Sequence, residues 1–489
     1  MILQEAAAKE SCAMRLKKIT LNNFRCFESF EVTLHPRLSV FVGENGAGKT
    51  AVLDGIATAL TPVLNYLSSA NQRLTGRGIA DADFRVEPAT VRSGKERWKL
   101  ADFAQVVAET VDGLKWDYWR PSGTKGQEPK TKHGLTELKS RLQTISESYK
   151  SSAPALTPVF AYFGARRGYI EVPERLRESK ENYAYPTSAL IGALDSLSDF
   201  KELLKWFDRE EASELRANKG VASDDYAPSQ ALDAVRETIK TLLDGSYQNP
   251  CFNRDHKFVV EPSDGGAPLL VTQLSQGYQS MLALGVDFAR RLVLANGHMN
   301  YGDQNSIAIA LEELHTLRRP DEVAEDLPLS APLIAPAIML VDEIDLHLHP
   351  SWQQRVLDDL MRAFPSTQFI VTTHSPQVIS TVRRENIRVF STDTDGRTVA
   401  TEPLANPYGQ PSGDVLQSVM LVNPQPPVDE KSDLDRLTNL VDQGRYESDE
   451  AKDLFRRLGQ ALGPGHPQML RLQRSVSRQT FLVQRDGEG

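Results

Sequence analysis

The fold of this 489-residue chain is decided by one stretch of eight residues, Gly43-Glu44-Asn45-Gly46-Ala47-Gly48-Lys49-Thr50. The stretch matches the phosphate-binding pattern G-x-x-x-x-G-K-[ST] and lies between an apolar run, Leu38–Val42, and a helical pattern. Glycines let backbone N–H groups and the following helix N-terminus point at negative charge. We therefore expect residues 44–50 to bind the phosphates of a nucleotide. Lys49 would contact the β and γ oxygens, and the Thr50 hydroxyl would bind Mg²⁺.

A second candidate element is a pair of acids at the end of an apolar strand. The run Ile338–Val341 is followed directly by Asp342 and Glu343. At the carboxyl edge of a parallel sheet, Asp342 would lie near Mg²⁺ and Glu343 near an attacking water as the catalytic base. Lys49 and Asp342 are 342 − 49 = 293 positions apart. This spacing predicts a large insert between two halves of one nucleotide-binding domain.

A third motif, Leu274-Ser275-Gln276-Gly277-Tyr278-Gln279, resembles the ABC ATPase signature L-S-G-G-Q. Gln276 replaces the first glycine, and Tyr278 is inserted before Gln279. The resemblance implies that Ser275, Gly277 and Gln279 bind the γ-phosphate of ATP held by a partner subunit. It also implies a head-to-tail homodimer with two shared sites. An ordinary polar cap at the start of a helix is the alternative interpretation.

Two further motifs fit the same superfamily. The strand ending Thr372-Thr373-His374-Ser375-Pro376 resembles the switch-histidine segment of ABC ATPases, which implies that His374 senses the γ-phosphate. The run Asn23-Phe24-Arg25-Cys26-Phe27 resembles the N-F-R-x-F entry of the SMC-like and RecF-like branch, whose arginine lies near the nucleotide. Arg25 is therefore expected at the ATP site. The His-x-His in residues 347–349 has too few ligands to predict a metal site.

Residues 342–353 and 372–376 resemble the AAA_21-type branch of ABC ATPases, which includes the overcoming-lysogenization-defect proteins. Those proteins carry a C-terminal Toprim nuclease, with its acidic motif on an α/β domain. The sequence after residue 395 has too little α/β pattern for such a domain. A built-in nuclease is therefore disfavoured.

The segment Tyr162-Phe163-Gly164-x-x-Arg167, the missing Toprim domain and a short helical tail resemble the Septu defence ATPases, including relatives encoded beside retrons. The resemblance implies action against phage with a separate HNH nuclease, PtuB. DNA, or a retron reverse transcriptase with its msDNA, is a further partner left open. A RecF-like repair or recombination ATPase is the alternative, and an ATP-gated scaffold with little hydrolysis is another.

The patterns together predict an α/β fold of the ABC type. We expect a leader at 1–13, a split ATPase domain at 14–60 and 270–422, an insert at 61–269, and a C-terminal helical module at 423–489. The insert is interpreted as less regular up to residue 157, with a mobile loop at 120–135, and as helical over 186–245 with a polar break near 217–229.

Composition excludes several classes of protein. No run of about 18 apolar residues is present, which predicts that the chain does not enter a membrane. The leader lacks the basic start and apolar core of a signal peptide, and the three cysteines are scattered, so a cytoplasmic location is expected. The net charge of −9 means that any contact with nucleic acid must use a local basic patch.

Overall fold

We describe the fold from a computed structural model of the chain. The residues that it describes are 14–69, 72–90, 96–123, 126–151, 154–165, 183–196, 200–222, 225–317, 327–463 and 465–487. Residues up to Met420 form one compact unit, and Leu421–Gly489 form a second.

A six-stranded sheet forms the centre of the larger unit. Its strands are β3 (Leu38–Val42), β8 (Val159–Phe163), β12 (Ala337–Val341), β13 (Thr367–Thr372), β14 (Ile387–Thr392) and β15 (Thr398–Thr401). The order is β15-β14-β3-β13-β12-β8, and all neighbours are parallel except the β14–β15 pair at one edge. Strand β8 comes from the predicted insert, so that segment contributes to the central sheet.

Both faces of this sheet are covered, which explains why its strands read as continuous apolar runs. All residues of β3, β8, β12 and β13 are buried. Because successive side chains point to opposite faces of a strand, Met339 and Val341 enter one core while Ile338 and Leu340 enter the other. The sheet therefore separates two cores and fixes the positions of the loops at its carboxyl edge.

A second, antiparallel sheet covers one face and has the order β2-β1-β6-β7. Its strands are β1 (Leu16–Phe24), β2 (Phe27–Thr33), β6 (Phe103–Thr110) and β7 (Lys115–Pro121). Strands β4 (Val86–Thr90) and β5 (Glu96–Leu100) form a separate two-stranded antiparallel sheet. A three-stranded sheet contains β9 (Tyr247–Phe252), β10 (Phe258–Pro262) and β11 (Leu269–Leu270). The interpretation of residues 61–157 as less regular is wrong. Strand β6 pairs with β1, whose paired residues lie from 105 − 22 = 83 to 110 − 16 = 94 positions earlier, and the sequence does not show that pairing.

The described α-helices of the larger unit are α1 (Lys49–Ala59), α2 (Thr61–Leu67), α3 (Thr136–Ser148), α4 (Phe200–Ala217), α5 (Gln230–Leu242), α6 (Gln276–Asn296), α7 (Gln304–Leu317), α8 (Pro350–Gln353), α9 (Val356–Ala363), α10 (Pro376–Ile379) and α11 (Ser412–Ser418). The break predicted near 217–229 separates α4 from α5. The segment from Pro350 to Ala363 forms two helices, α8 and α9, because the backbone leaves helical geometry at Arg355, where φ is −126°. Among the described residues, no helix is both long enough and apolar enough to cross a membrane.

The described part of the smaller unit contains three helices, α12 (Lys431–Asp442), α13 (Asp449–Leu462) and α14 (Pro467–Gly487). They share one apolar cluster, whose fully buried members include Leu437, Val441 and Leu458. Each helix is amphipathic, so three helices are enough to bury one continuous apolar face. The helical character of the tail agrees with the sequence expectation.

Candidate active site

The P-loop lies between β3 and α1 at the carboxyl edge of the central sheet. Gly48 adopts φ +94°, and a Cβ on this residue would lie 2.4 Å from the Phe27 ring, so only glycine fits. Helix α1 begins at Lys49, with no side-chain cap and no acid in its first turn. Its N-terminal N–H groups and dipole therefore favour an anion, as the phosphate-binding pattern requires.

Lys49 is held over this loop. Its Nζ donates to the carbonyl oxygens of Gly43 at 2.8 Å and Glu44 at 2.9 Å, and the residue is 7% exposed. Burial lowers the pKa of Lys49, while the nearby carboxylates of Asp342 and Glu343 act in the opposite direction. The ammonium is thus placed among acids in a partly desolvated position, where attraction to phosphate oxygens is strong.

Asp342 connects three segments of the chain. It follows β12, and its carboxylate accepts from the Thr50 hydroxyl at 3.0 and 3.2 Å and from the Thr372 hydroxyl at 2.7 Å. A hydroxyl beside a carboxylate is a hard-oxygen donor set, which fits Mg²⁺ bound by one or two protein groups together with phosphates. Among the described residues, no cluster of three or more His, Cys, Asp or Glu could hold a metal alone. The structure therefore brings the two predicted Mg²⁺ ligands together.

Glu343 lies where the chain turns sharply away from β12. Its φ is +52°, a conformation that is uncommon for a residue with a side chain and often marks functional sites. The Glu343 N–H donates to the Thr372 hydroxyl at 2.7 Å, and the Ile344 N–H donates to the Thr372 carbonyl at 2.9 Å. The loop is therefore fixed by β13, and the half-buried Glu343 side chain projects from a defined backbone.

The predicted switch histidine lies between two anchored residues. Thr373 donates to Asp345 at 2.6 Å, and Ser375 donates to the Gln353 side chain at 2.6 Å while it caps α10. His374 itself is half-buried. The loops after β12 and β13 are therefore connected on both sides of His374, which places it at the same edge as the acids.

The signature motif begins α6. Ser275 is exposed and caps the helix by accepting from the Tyr278 N–H at 3.5 Å. Gly277 is buried, and a Cβ there would lie 2.9 Å from the His347 carbonyl oxygen. The Gln279 side chain donates to the Leu274 carbonyl at 2.7 Å and so secures the turn. The structure gives Gln279 a role within its own loop, and its predicted contact with ATP remains a prediction.

The inserted Tyr278 has a structural explanation. Its ring packs edge-on against Trp352 with 4.5 Å between ring centroids and against Tyr247 with 5.2 Å. These contacts attach the start of α6 to the segment that follows the paired acids. The departure from the signature pattern therefore adds an apolar contact between two motifs that are far apart in sequence.

Arg25 is engaged by buried acids. It has φ +51°, and its guanidinium pairs with Asp54 at 2.5 Å and with Asp83 at 2.8 Å. Burial opposes ionisation of Arg25, but the two carboxylates outweigh it and raise the pKa of the guanidinium. Arg77 pairs with the same two acids. The predicted contact of Arg25 with the nucleotide stays a prediction.

Sequence reasoning missed several residues that organise the site. Thr372 bonds Asp342 and the Glu343 backbone, as described above. Tyr162 is 3% exposed, and its hydroxyl hydrogen-bonds Asp54; burial, together with the charges of Asp54 and Asp342, raises its pKa. Tyr162 belongs to a quoted motif, so the signal was present without a role attached. Arg167 of that motif lies outside the described residues.

Two family models match the chain. Residues 18–245 match the AAA_23 family, described as an AAA domain. Residues 207–380 match AAA_21, described as "AAA domain, putative AbiEii toxin, Type IV TA system". Together the two matches include the P-loop, the signature, the paired acids and the switch histidine.

Similar curated proteins include two that align along most of the chain. "Retron Ec83 probable ATPase" of Escherichia coli is 27% identical over 98% of this chain and 90% of its own length. "Retron Vc95 probable ATPase" of Vibrio cholerae serotype O1 biovar El Tor is 23% identical over 90% of this chain and 86% of its own length. A shorter match, 28% identical, joins 28% of this chain to 14% of the Septu protein PtuA of Bacillus mycoides strain KBAB4.

Solved structures that match the chain include the SMC head domain from Thermotoga maritima. It is 13% identical, covers 80% of this chain and all of that domain, and has a TM-score of 0.34. An SMC head bound to the C-winged helix domain of ScpA is 14% identical, covers 79% of this chain and 97% of its own length, and has a TM-score of 0.37.

Proposed function

We propose that this chain, which is a P-loop ATPase with AAA_23 and AAA_21 domains, is the ATP-driven subunit of a retron- or Septu-type anti-phage complex. In this proposal it acts in the cytoplasm as a head-to-tail dimer and controls a separate HNH-type nuclease of the PtuB kind. The observation that carries the proposal is the match to "Retron Ec83 probable ATPase" over 98% of this chain. That match includes the helical tail as well as the ATP site.

Hydrolysis would use side chains that the structure brings together. Lys49 binds the β and γ phosphates, and Thr50 with Asp342 holds Mg²⁺, which neutralises phosphate charge when bound. Glu343 orients the attacking water and accepts its proton. His374 contacts the γ-phosphate from the neighbouring loop. The rigid turn at Glu343, fixed through Thr372, supports this role because a catalytic base must be held in place before the reaction.

Pairing of two chains is supported by the signature region. Ser275 is exposed at the N-terminus of a 21-residue helix, and this position presents N–H groups and a favourable dipole outward. Gly277 and the Gln279 side chain hold the turn in that position, as described above. A second copy whose P-loop faces this helix would complete its ATP site, and the exchange would form two equivalent sites.

A DNA repair role of the RecF kind is the second candidate function. It is favoured by a match of 46% identity to "DNA replication and repair protein RecF" of Lactococcus lactis, which spans 43 residues or 9% of this chain. A match of this length covers a motif and not a whole domain. The long retron matches therefore favour the defence role.

Phage challenge of cells that carry the gene with its natural neighbours tests the proposal. We expect protection with the wild-type chain, and we expect its loss with Glu343→Gln or when a neighbouring HNH gene is deleted. Glu28→Gln, which changes an exposed acid on β2, serves as the control. Absent protection together with DNA-damage sensitivity after deletion of the gene would favour the repair role instead.

A further inference from the structure

The C-terminal unit separates its charges along the sequence. Residues 429–453 contain nine acidic residues, whereas residues 454–485 contain six arginines and no aspartate or glutamate. The whole chain carries a net charge of −9, so this basic stretch is a local exception. A local basic surface on an acidic protein is the arrangement that binds a polyanion without attracting it elsewhere.

Helix α14 places three of these arginines on one face. Arg471, Arg474 and Arg478 are all exposed. At 3.6 residues per turn they fall within an arc of about 60°, on the side of the helix that points away from the buried Met469 and Leu472. We refer to Arg471, Arg474 and Arg478 as the arginine stripe. Because it faces away from the apolar cluster, packing within the unit does not require it.

The stripe differs from the other arginines of the same unit. Arg436 pairs with Glu450, Arg456 pairs with Asp453, and Arg457 pairs with Asp433 and Asp453. Among the described residues, none of the three stripe arginines has an ion-pair partner. Three guanidinium groups therefore remain available to an external anion along about 10 Å of helix.

An aromatic ring continues the same face. Phe481 is 64% exposed and lies one turn beyond Arg478, about 4.5 Å further along the helix axis. An exposed phenyl ring is costly to hydrate, and it offers a flat apolar surface on which a base can stack. Arginine is also the cation best suited to this pairing, because its planar fork binds phosphate oxygens and stacks on aromatic groups.

We propose that the arginine stripe and Phe481 form a binding site for single-stranded nucleic acid. The three guanidiniums contact successive phosphates, and Phe481 stacks on an unpaired base. A duplex keeps its bases stacked inside and offers none to Phe481. An acidic protein surface could pair with the arginine stripe but would not stack on Phe481. A single strand has both phosphates for the stripe and unpaired bases for the ring. The role of this site in the cell rests on the function proposed above, because the site would bind the nucleic-acid partner of that complex.

Binding of the full-length protein to labelled single-stranded DNA, single-stranded RNA and duplex DNA of equal length tests the site. The key variant is R471Q/R474Q/R478Q, and R436Q/R456Q/R457Q removes the same charge from the same unit. We expect the stripe variant to lose at least tenfold in single-strand affinity. Its slope of log affinity against log salt should fall by about 2, or about 0.7 for each lost phosphate contact. The control variant should keep both values.

Two variants at one position isolate the stacking contact. Phe481→Ala should weaken single-strand binding about tenfold while leaving the salt slope unchanged. Phe481→Leu keeps apolar bulk without the ring and should weaken binding nearly as much. Whichever of DNA and RNA binds more tightly identifies the natural strand.

The proposal would be overturned if both triple variants lost the same affinity for the single strand, or if the stripe variant kept the wild-type affinity. Binding of polyglutamate as tight as that of the single strand would also overturn it, in favour of an acidic protein partner. ATP hydrolysis by each variant is measured in parallel. Normal hydrolysis shows an intact fold. Absent hydrolysis in the wild-type chain would count against the proposed function and not against this site.

Discussion

Two regions that are both expected to contact ATP differ in how their polar side chains are arranged. At the carboxyl edge of the central sheet, Lys49 and Asp342 are nearly buried and hydrogen-bonded to residues of their own chain. At the start of α6, Ser275 is exposed, and its hydroxyl caps its own helix by accepting from the Tyr278 N–H. The first region is assembled within one chain, whereas the second is presented to the outside.

This difference indicates that the two regions have different roles in the site. Buried, mutually bonded groups are costly to disturb, because removal of one partner leaves the other unsatisfied. An exposed helix N-terminus can bind an anion without any rearrangement of the core. The contrast therefore supports a site whose catalytic half is fixed in advance and whose signature half arrives with a second copy. Each of the following experiments tests one side of the contrast.

The largest effect is expected at Glu343. Glu343→Gln removes the carboxylate proposed to orient and deprotonate water but keeps the residue's size and backbone contacts, so turnover should fall at least about 100-fold. Nucleotide affinity should remain close to that of the wild type, because Lys49, Thr50 and Asp342 are unchanged. Steady-state hydrolysis and calorimetry measure the two quantities, with Glu28→Gln as the control. Hydrolysis at the wild-type rate would remove Glu343 from the catalytic role.

A smaller effect is expected at Lys49. Lys49→Ala removes the ammonium proposed to contact phosphate. Because such a charge-assisted contact is worth about 1.5–3 kcal/mol, nucleotide binding should weaken by about ten- to a hundredfold. Lys99→Ala removes an exposed ammonium on β5 and should leave affinity unchanged. Calorimetric titration with a non-hydrolysable nucleotide measures both. Equal affinity in the two variants would contradict the P-loop assignment.

The two halves of the site can be separated by mixing variants. In a dimer of Ser275→Arg with Lys49→Ala chains, one composite site carries both defects and the other carries neither. Co-expression should therefore restore part of the hydrolysis that each variant lacks alone. The matched control pairs Lys49→Ala with Glu343→Gln. Both defects then lie at the carboxyl edge of the central sheet, in the half of the site that contains the P-loop. Every composite site therefore carries one defect, and no recovery is expected.

If neither mixture regains hydrolysis, although the dimers are shown to contain one chain of each variant, the sites are built within one chain or two intact sites are needed together. Tight ATP binding at the intact site of the first mixture would distinguish coupling from the single-chain arrangement. Equal recovery in both mixtures would contradict the division between the two halves.

The smallest effect concerns stability around Arg25, whose guanidinium pairs with Asp83. Asp83 is 1% exposed. Burial opposes its ionisation, but the Ala80 N–H and the guanidiniums of Arg25 and Arg77 outweigh burial and lower its pKa. A lowered pKa stabilises the fold above the unfolded value of about 3.9, and this contribution is lost as pH falls through the folded value. Asp83→Asn should therefore reduce the free energy of unfolding by about 1–3 kcal/mol at pH 7, with a smaller difference near pH 3.

Denaturant unfolding at both pH values measures this difference. Asp81→Asn, which changes an exposed acid two residues away, should alter stability little at either pH. A difference between Asp83→Asn and the wild type that is independent of pH would show that shape, and not charge, holds Arg25 in place.

The sequence alone determined the parts of the site that are contiguous. The P-loop, the acids after β12, the helix cap at Ser275 and the strand before His374 each depend on local backbone geometry, so their residue patterns predict them. Strand β3 has the same bounds as the apolar run Leu38–Val42. The α/β class followed from the same patterns, because buried parallel strands read as short apolar runs between helices.

Only the tertiary structure decided which distant residues complete those parts. Four contacts join segments that are far apart in the chain. They are the Thr372 contact with Asp342, the pairing of Arg25 with Asp83, the packing of Tyr278 on Trp352 and the strand pairing of β1 with β6. Local patterns report local forces such as turn geometry and periodic burial. Which two surfaces meet depends instead on how the whole chain buries its apolar area, and one sequence does not show that choice residue by residue.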